Sequence, residues 1–282
     1  MEFNKEILFS LKDKGKNICV YCNGIAQLLK EFSPEDFSEF SPRLYYFWRE
    51  NKRPIPLKII IKLMEIKKIK AIDIDSFSVG SGNRIVFPED KNLAFNYLLG
   101  LILGDGCLVC TKRGKKKSTY RLQISFAEKK DAEIIRKLIK QLFDVKSSLY
   151  FSSGCYNLCV YSKPLVMILN KKYEIPIGLK YALIKIPKLN SEWEENQIKS
   201  FLKGVFDSDG NSYNHRNKLC IQLRQKSESF IRELKRLFEK IDIKFRNPYK
   251  DGANNSWVLW SSKKELVDNF INKIIDFNPL PP

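Results

Sequence analysis

Two short stretches of this 282-residue chain combine residue types that could perform chemistry. One is Leu98-Leu99-Gly100-Leu101-Ile102-Leu103-Gly104-Asp105-Gly106, and the other is Leu202-Lys203-Gly204-Val205-Phe206-Asp207-Ser208-Asp209-Gly210. Each is a largely apolar run that ends in Asp-Gly. Read as helices, they would place Asp105 and Asp209 at C-termini, where the macrodipole is already negative. Two carboxylates held close together would also repel one another. The last-turn carbonyls, here those of Gly104 and Ser208, lack an intrahelical donor. A divalent cation would resolve all three problems. An all-oxygen site of this kind suits Mg²⁺, for which Mn²⁺ can substitute.

The acidic residues are 104 positions apart (209 − 105), and what surrounds them also repeats. Small residues recur four apart, at Gly100 and Gly104 and again at Gly204 and Ser208. That spacing places them on one helix face, where two backbones could approach closely. Packing the helices through these residues would bring both aspartates together. Gly106 and Gly210 suit the left-handed residue that often ends a helix.

A basic turn follows each helix. The first contains Lys112, Arg113, Lys115 and Lys116; the second contains Arg216. Alternating strands come next: Arg121 to Phe126, then Leu219 to Arg224. Their pattern turns Leu122, Ile124 and Phe126, and likewise Leu219, Ile221 and Leu223, toward a core. It leaves Arg121, Gln123 and Ser125, and then Cys220, Gln222 and Arg224, on the other face. A face rich in Arg and Gln can read base edges in a major groove. An amphipathic helix, a second strand pair and a final helix complete each half. The order is α-β-β-α-β-β-α in both, and the halves are placed at 92–190 and 191–282.

Composition supports a polyanionic partner. There are 50 Lys and Arg against 32 Asp and Glu, a formal charge of +18. An excess that large favours nucleic acid, and the Arg/Gln strand faces suit double-stranded DNA. No apolar run is long enough to span a bilayer, and no signal peptide is read at Met1–Lys5. A cytoplasmic, nucleoid-associated protein with reduced cysteines is expected. Cys19/Cys22 and Cys107/Cys110 have a zinc-like spacing, but the pairs lie far apart without a neighbouring histidine, so zinc is not expected.

At the two Asp-Gly motifs the chain resembles the LAGLIDADG homing endonucleases, over roughly residues 92–282. The resemblance implies that the motif helices form the interface between pseudo-symmetric halves. It also implies saddle-shaped antiparallel sheets that hold a long DNA site, with Asp105 and Asp209 binding the catalytic Mg²⁺. Ile175-Pro176-Ile177-Gly178-Leu179-Lys180 is similar to the family segment that supplies an active-site lysine, which makes Lys180 the candidate. The second half has no such segment, so the lysine set is asymmetric. Self-splicing is not expected, since neither a splicing nucleophile at the start nor a terminal His-Asn is present.

Residues 1–85 read as a small all-α domain. Gly24 to Leu29 and Ser41 to Lys52 look like the two helices of a helix-turn-helix, similar to phage-repressor-type domains. Ser41 would cap the second helix, with Pro42 at its first position. Arg43, Tyr45, Tyr46 and Arg49 would then contact DNA, while Trp48 enters the core. The expected fold is α+β: a duplicated LAGLIDADG unit behind this helical domain. The expected protein is a monomeric, site-specific, Mg²⁺-dependent DNA endonuclease. The alternatives are a non-cleaving DNA-binding regulator on the same scaffold and an RNA-splicing cofactor.

Overall fold

The computed structural model describes residues 2–11, 18–79, 84–113, 117–180, 183–187 and 192–281. The amino-terminal unit is mixed rather than all-α. It runs β1 (Glu2–Asn4), α1 (Lys5–Ser10), β2 (Ile18–Tyr21), α2 (Asn23–Leu28), α3 (Pro42–Arg49), β3 (Ile55–Pro56), α4 (Leu57–Ile66), β4 (Ala71–Asp73) and β5 (Ser76–Val79). β1 pairs with β4, while β2 lies between β3 and β5, all antiparallel. These strands are two to four residues long, too short for an alternating pattern to show in the sequence. Their pairing also joins positions as distant as Glu2 and Asp73. The apolar spacing of α2 and α4, by contrast, is local and was legible as helix.

The first repeat follows as α5 (Leu93–Gly104), β6 (Gly106–Arg113), β7 (Lys117–Phe126), α6 (Lys129–Phe143), β8 (Ser148–Ser152), β9 (Cys155–Tyr161) and α7 (Lys163–Lys171). The second is α8 (Glu195–Asp209), β10 (Gly210–His215), β11 (Lys218–Gln225), α9 (Glu228–Lys240), β12 (Tyr249–Asp251), β13 (Ser256–Ser261) and α10 (Lys264–Phe270). Their sheets share one antiparallel topology, β6-β7-β9-β8 and β10-β11-β13-β12. Leu122, Ile124, Leu158 and Val160 bury the inner face of the first sheet, and Ile221, Leu223 and Leu259 that of the second. The amphipathic helices α6 and α9 cover them through Ile135, Leu138 and Ile139, and through Ile231, Leu234 and Phe238.

Between the sheets, α5 and α8 pack side by side with their C-termini together. From Ala94 to Gly104 every residue of α5 is buried, as expected for a helix that is apolar all round. The small residues set this geometry. A β-carbon added to Gly100 would lie 2.2 Å from the Phe201 carbonyl oxygen, and one on Gly204 would lie 2.0 Å from that of Tyr97. Gly104 faces Ser208 in the same way, its added carbon falling 1.8 Å from the Ser208 hydroxyl oxygen. Gly100→Ala is therefore expected to force the helices apart and to cost about 3 kcal/mol or more. Calorimetry should show a fall in Tm of roughly 5–10 °C. An unchanged Tm would contradict the close approach.

Gly106 and Gly210 have another purpose than the one read from the sequence. Neither is left-handed: Gly210 is extended at φ −90°, and Gly106 has no positive φ. Both begin strands directly after their helices. An added carbon would lie 2.6 Å from Ile102 Cα at Gly106 and 2.1 Å from Phe206 Cδ2 at Gly210. The glycines let the chain reverse tightly against its own last helical turn.

Among the described residues no helix is long and apolar enough to cross a membrane.

Candidate active site and nucleic-acid face

Asp105 caps α5 and Asp209 is the last residue of α8, so the parallel packing delivers both carboxylates to one end of the interface. Asp209 Oδ2 lies 2.8 Å from the position of a β-carbon on Gly104, so it reaches across to the other helix. Burial raises the Asp105 carboxyl above the ordinary range, and Lys180 partly offsets this. Asp209 is pushed up to about 7, first by burial and then by Asp105, against the pull of Lys180 and Gln225. Removal from water is thus the main reason both carboxyls are held high.

A turn with a defined cause places Lys180 beside this pair. Ile177 bridges to Leu108 of β6, and the Gly178 N–H donates to the Leu108 carbonyl at 2.8 Å. Gly178 then takes φ +87°, a conformation suited to glycine, and the chain turns inward. The Lys180 ammonium donates to the carbonyls of Ile102 (3.2 Å), Leu103 (2.8 Å), Gly104 and Gly106 (2.7 Å). It thus closes the open C-terminus of α5 with a built-in cation. Burial lowers its pKa, and Asp209 and Asp105 oppose that shift.

Two of the expected metal ligands have partners within the protein. The Gly104 carbonyl accepts from Lys180 through one of its two lone pairs. The Ser208 hydroxyl donates back to Gly204 (3.1 Å) and Val205 (2.9 Å) within α8. Among the described residues, no group of three or more His, Cys, Asp or Glu is gathered. The two aspartates are the charged donors.

Asp209 also has a partner that sequence reading passed over. The Gln225 side-chain amide donates to Asp209 Oδ2. Gln225 ends β11 and, counted from the paired strands, matches Phe126 in the first half, since Gly106 pairs with Ile124 and Gly210 with Leu223. Gln225, Lys226, Arg224 and Asn254 line a 380 Å³ cleft with Lys180 and Asp209. A basic residue therefore flanks the second half as well, supplied by a strand end instead of a loop. Only the Gln-Lys pair immediately before the α9 cap Ser227 could have signalled it.

On the outer face of the first sheet, Gln123 Nε2 and Ser125 Oγ both donate to Asn157 Oδ1, at 2.9 and 3.0 Å. Arg121, Gln123, Ser125, Gln222 and Arg224 are all half-buried. Arg224 is tied to Asp251 at 2.6 Å. Arg216 is exposed in a two-residue hairpin, where it and Asn217 are both left-handed (φ 48° and 60°), the geometry of a type I′ turn. Lys115 and Lys116 lie outside the described residues, as do the side chains of Lys112 and Arg113. Two strand positions differ from the sequence pattern. Cys220 shares a face with Gln222 and Arg224 yet is fully buried, while Leu219, near the hairpin tip, is exposed.

In the amino-terminal unit, Arg43 and Tyr46 are exposed and Arg49 is half-buried against the Tyr46 ring at 5.2 Å. Tyr45 is not available to DNA. It is buried, and its hydroxyl donates to the Leu29 and Phe32 carbonyls at 2.7 and 2.5 Å. Trp48 is in the core. Ser41 sits at the cap position of α3 but its side chain makes no capping bond. Cys19 and Cys22 are buried, with the Cys22 thiol donating to the Asp73 carbonyl.

Comparison with known proteins agrees with this architecture. Residues 196–274 match the LAGLIDADG-like domain family. The homing endonuclease I-DmoI of Desulfurococcus mucosus is 24% identical over 192 residues, 66% of this chain and 90% of that protein. A DNA polymerase of Thermococcus litoralis and the replication factor C small subunit of Methanocaldococcus jannaschii are each 28% identical over the matched stretch. The matches cover 52% and 64% of this chain but only 8% and 10% of those proteins. The crystal structure of I-DmoI in complex with DNA and Mn superposes with a TM-score of 0.53 at 21% identity, covering 67% of this chain and 99% of that one. An I-DmoI variant on its nicked target DNA gives a TM-score of 0.55 over 67% and 99%. Behind its amino-terminal unit the chain thus has the α+β LAGLIDADG fold of I-DmoI, antiparallel sheets flanking two central helices.

Proposed function

We propose that the protein is a site-specific DNA endonuclease that uses Mg²⁺ at Asp105 and Asp209. The observation that carries this reading is the carboxylate pair brought together at the ends of α5 and α8, with the half-buried Asp209 pushed up to about 7. Two aspartates confined this way are costly unless a cation and a phosphodiester complete the site. The residues suit Mg²⁺: hard oxygen donors, few of them, with room for water and phosphate oxygens. When bound, a divalent cation supplies water activation and charge neutralisation. Lys180 keeps a fixed positive charge beside the scissile phosphate, and Gln225 holds the Asp209 carboxylate in one orientation. The sheets take DNA, as the homologous I-DmoI crystals hold their target DNA with Mn or Mg. Exposed Arg43 and Tyr46, with half-buried Arg49, make α3 a second DNA-contacting surface.

Incubating the protein with a randomised duplex library and Mg²⁺, then sequencing the ends, tests the reading. Cuts enriched at one sequence are expected. Specific binding without cuts would favour a non-cleaving regulator, and preference for structured RNA would favour the splicing cofactor. On the selected site, Arg121→Ala is expected to weaken binding by about 1–3 kcal/mol and to relax preference at one base pair. A uniform loss across all sequences would instead mark Arg121 as a phosphate contact.

A further inference from the structure

The amino-terminal unit is not a tethered module. An edge-to-face series of rings runs from it into the first repeat: Phe3–Phe77 (5.0 Å), Phe77–Phe87 (6.0 Å), Phe87–Phe143 (5.2 Å), Phe143–Phe95 (5.9 Å) and Phe95–Tyr173 (5.1 Å). The Val86 N–H donates to the Phe143 carbonyl at 3.2 Å. The buried Lys172 ammonium bonds Asp90 at 2.9 Å and the Glu2 carbonyl at 3.4 Å. One continuous core therefore fixes this unit against the outer side of the first repeat.

Along that seam lies a cleft of 460 Å³, lined among others by Arg84, Lys140, Asp144, Lys146, Tyr161 and Lys163. Lys140 and Asp144 pair with each other, and the remaining three charged groups are all cationic. Arg84 and Lys146 are exposed. The cleft opens onto the outer face of the sheet. Tyr161, which is exposed, is the cross-strand partner of Arg121 and so points the same way. Tyr150 pairs with Asn157 on the neighbouring strand and so shares this outer face with Arg121 and Tyr161. The seam's cations thus lie beside the outer face that carries Arg121, with Tyr161 between them.

We propose that this seam binds the phosphate backbone of the duplex lying on the first sheet. The DNA footprint then extends past the saddle on one side only, that of the first repeat. The inference rests on the DNA-binding reading of the sheets. A seam with exposed Arg84 and Lys146 and half-buried Lys163 suits backbone phosphates, which take point charges along the duplex. Because the joint is rigid, these contacts fall at a fixed distance from the cleavage site.

The test uses the full chain and duplexes carrying its library-selected site, lengthened on either flank in turn. Lengthening on the first-repeat side is expected to tighten binding roughly tenfold or more, and lengthening on the other side to do little. In Arg84→Ala/Lys146→Ala that gain should shrink toward one, with the salt slope on the long duplex lower by about 2. Both residues are exposed, so the fold should tolerate the change. Equal gains on both flanks, no gain on either, or a gain retained in the double variant would overturn the seam. Failure of the wild-type chain to select any duplex site would instead overturn the DNA reading beneath it.

Discussion

Asp209→Asn is expected to reduce Mg²⁺-dependent cleavage by a hundredfold or more, roughly 3 kcal/mol in barrier terms, while DNA binding is kept or slightly tightened. The same variant should become more stable, in a way that depends on pH. Asp209 titrates near 7 in the folded chain, against the ordinary aspartate value of 3.8. Well below pH 3.8 the group is protonated in both states and the substitution changes little. As pH rises from 4 to 7, the unfolded chain ionises first, so the wild type loses stability relative to the variant. Above pH 7 the difference levels at about 4 kcal/mol in the absence of divalent cation. Thermal unfolding in EDTA at pH 4.5 and pH 8 measures it. The expected result is a small gain in Tm at the lower pH and a large one at the higher. Adding Mg²⁺ at pH 8 should then stabilise wild type more than the variant, since the ion binds the paired carboxylates. A variant that cuts at the wild-type rate, or that shows the same gain at both pH values, would remove Asp209 from the proposed site.

Lys180→Met should have the second largest effect, on both activity and stability. The ammonium shares its three N–H donors among four carbonyls around the end of α5. Methionine has similar length but no donor, so these oxygens lose their partner in a partly buried place. A loss of about 2–4 kcal/mol in stability is expected. Cleavage should fall at least a hundredfold, because Lys180 is the cation that offsets the Asp105 carboxylate among the described residues. Measuring cleavage well below the variant's Tm separates the two effects. If a folded Lys180→Met protein cut DNA normally, the lysine would be a helix cap and nothing more.

These two predictions draw on different sources. The placement of Asp105 and Asp209 was legible because the motif is written twice, and glycine and serine at four-residue spacing leave a surface that only another helix can fill. Composition then pointed to a polyanion. Lys180 was legible only through resemblance, since nothing local marks one lysine among many.

What the sequence determined by itself was therefore periodic and local: the apolar helices, the alternating strands and the small-residue face that pairs α5 with α8. Tertiary structure alone decided the rest. The strands of the amino-terminal unit form by pairings such as Cys19 with Ser78, which no local pattern records. Tyr45 is a core hydroxyl because α3 packs on the Leu29–Phe32 segment, a matter of contact between elements. Gly106 and Gly210 are needed for space against a preceding turn and not for left-handed backbone. Gln225 meets Asp209 because a strand end folds back over a helix end sixteen residues earlier. Charge balance at the site follows from those meetings. A carboxylate's titration depends on its burial and on which cation and amide reach it, and both are properties of the folded chain.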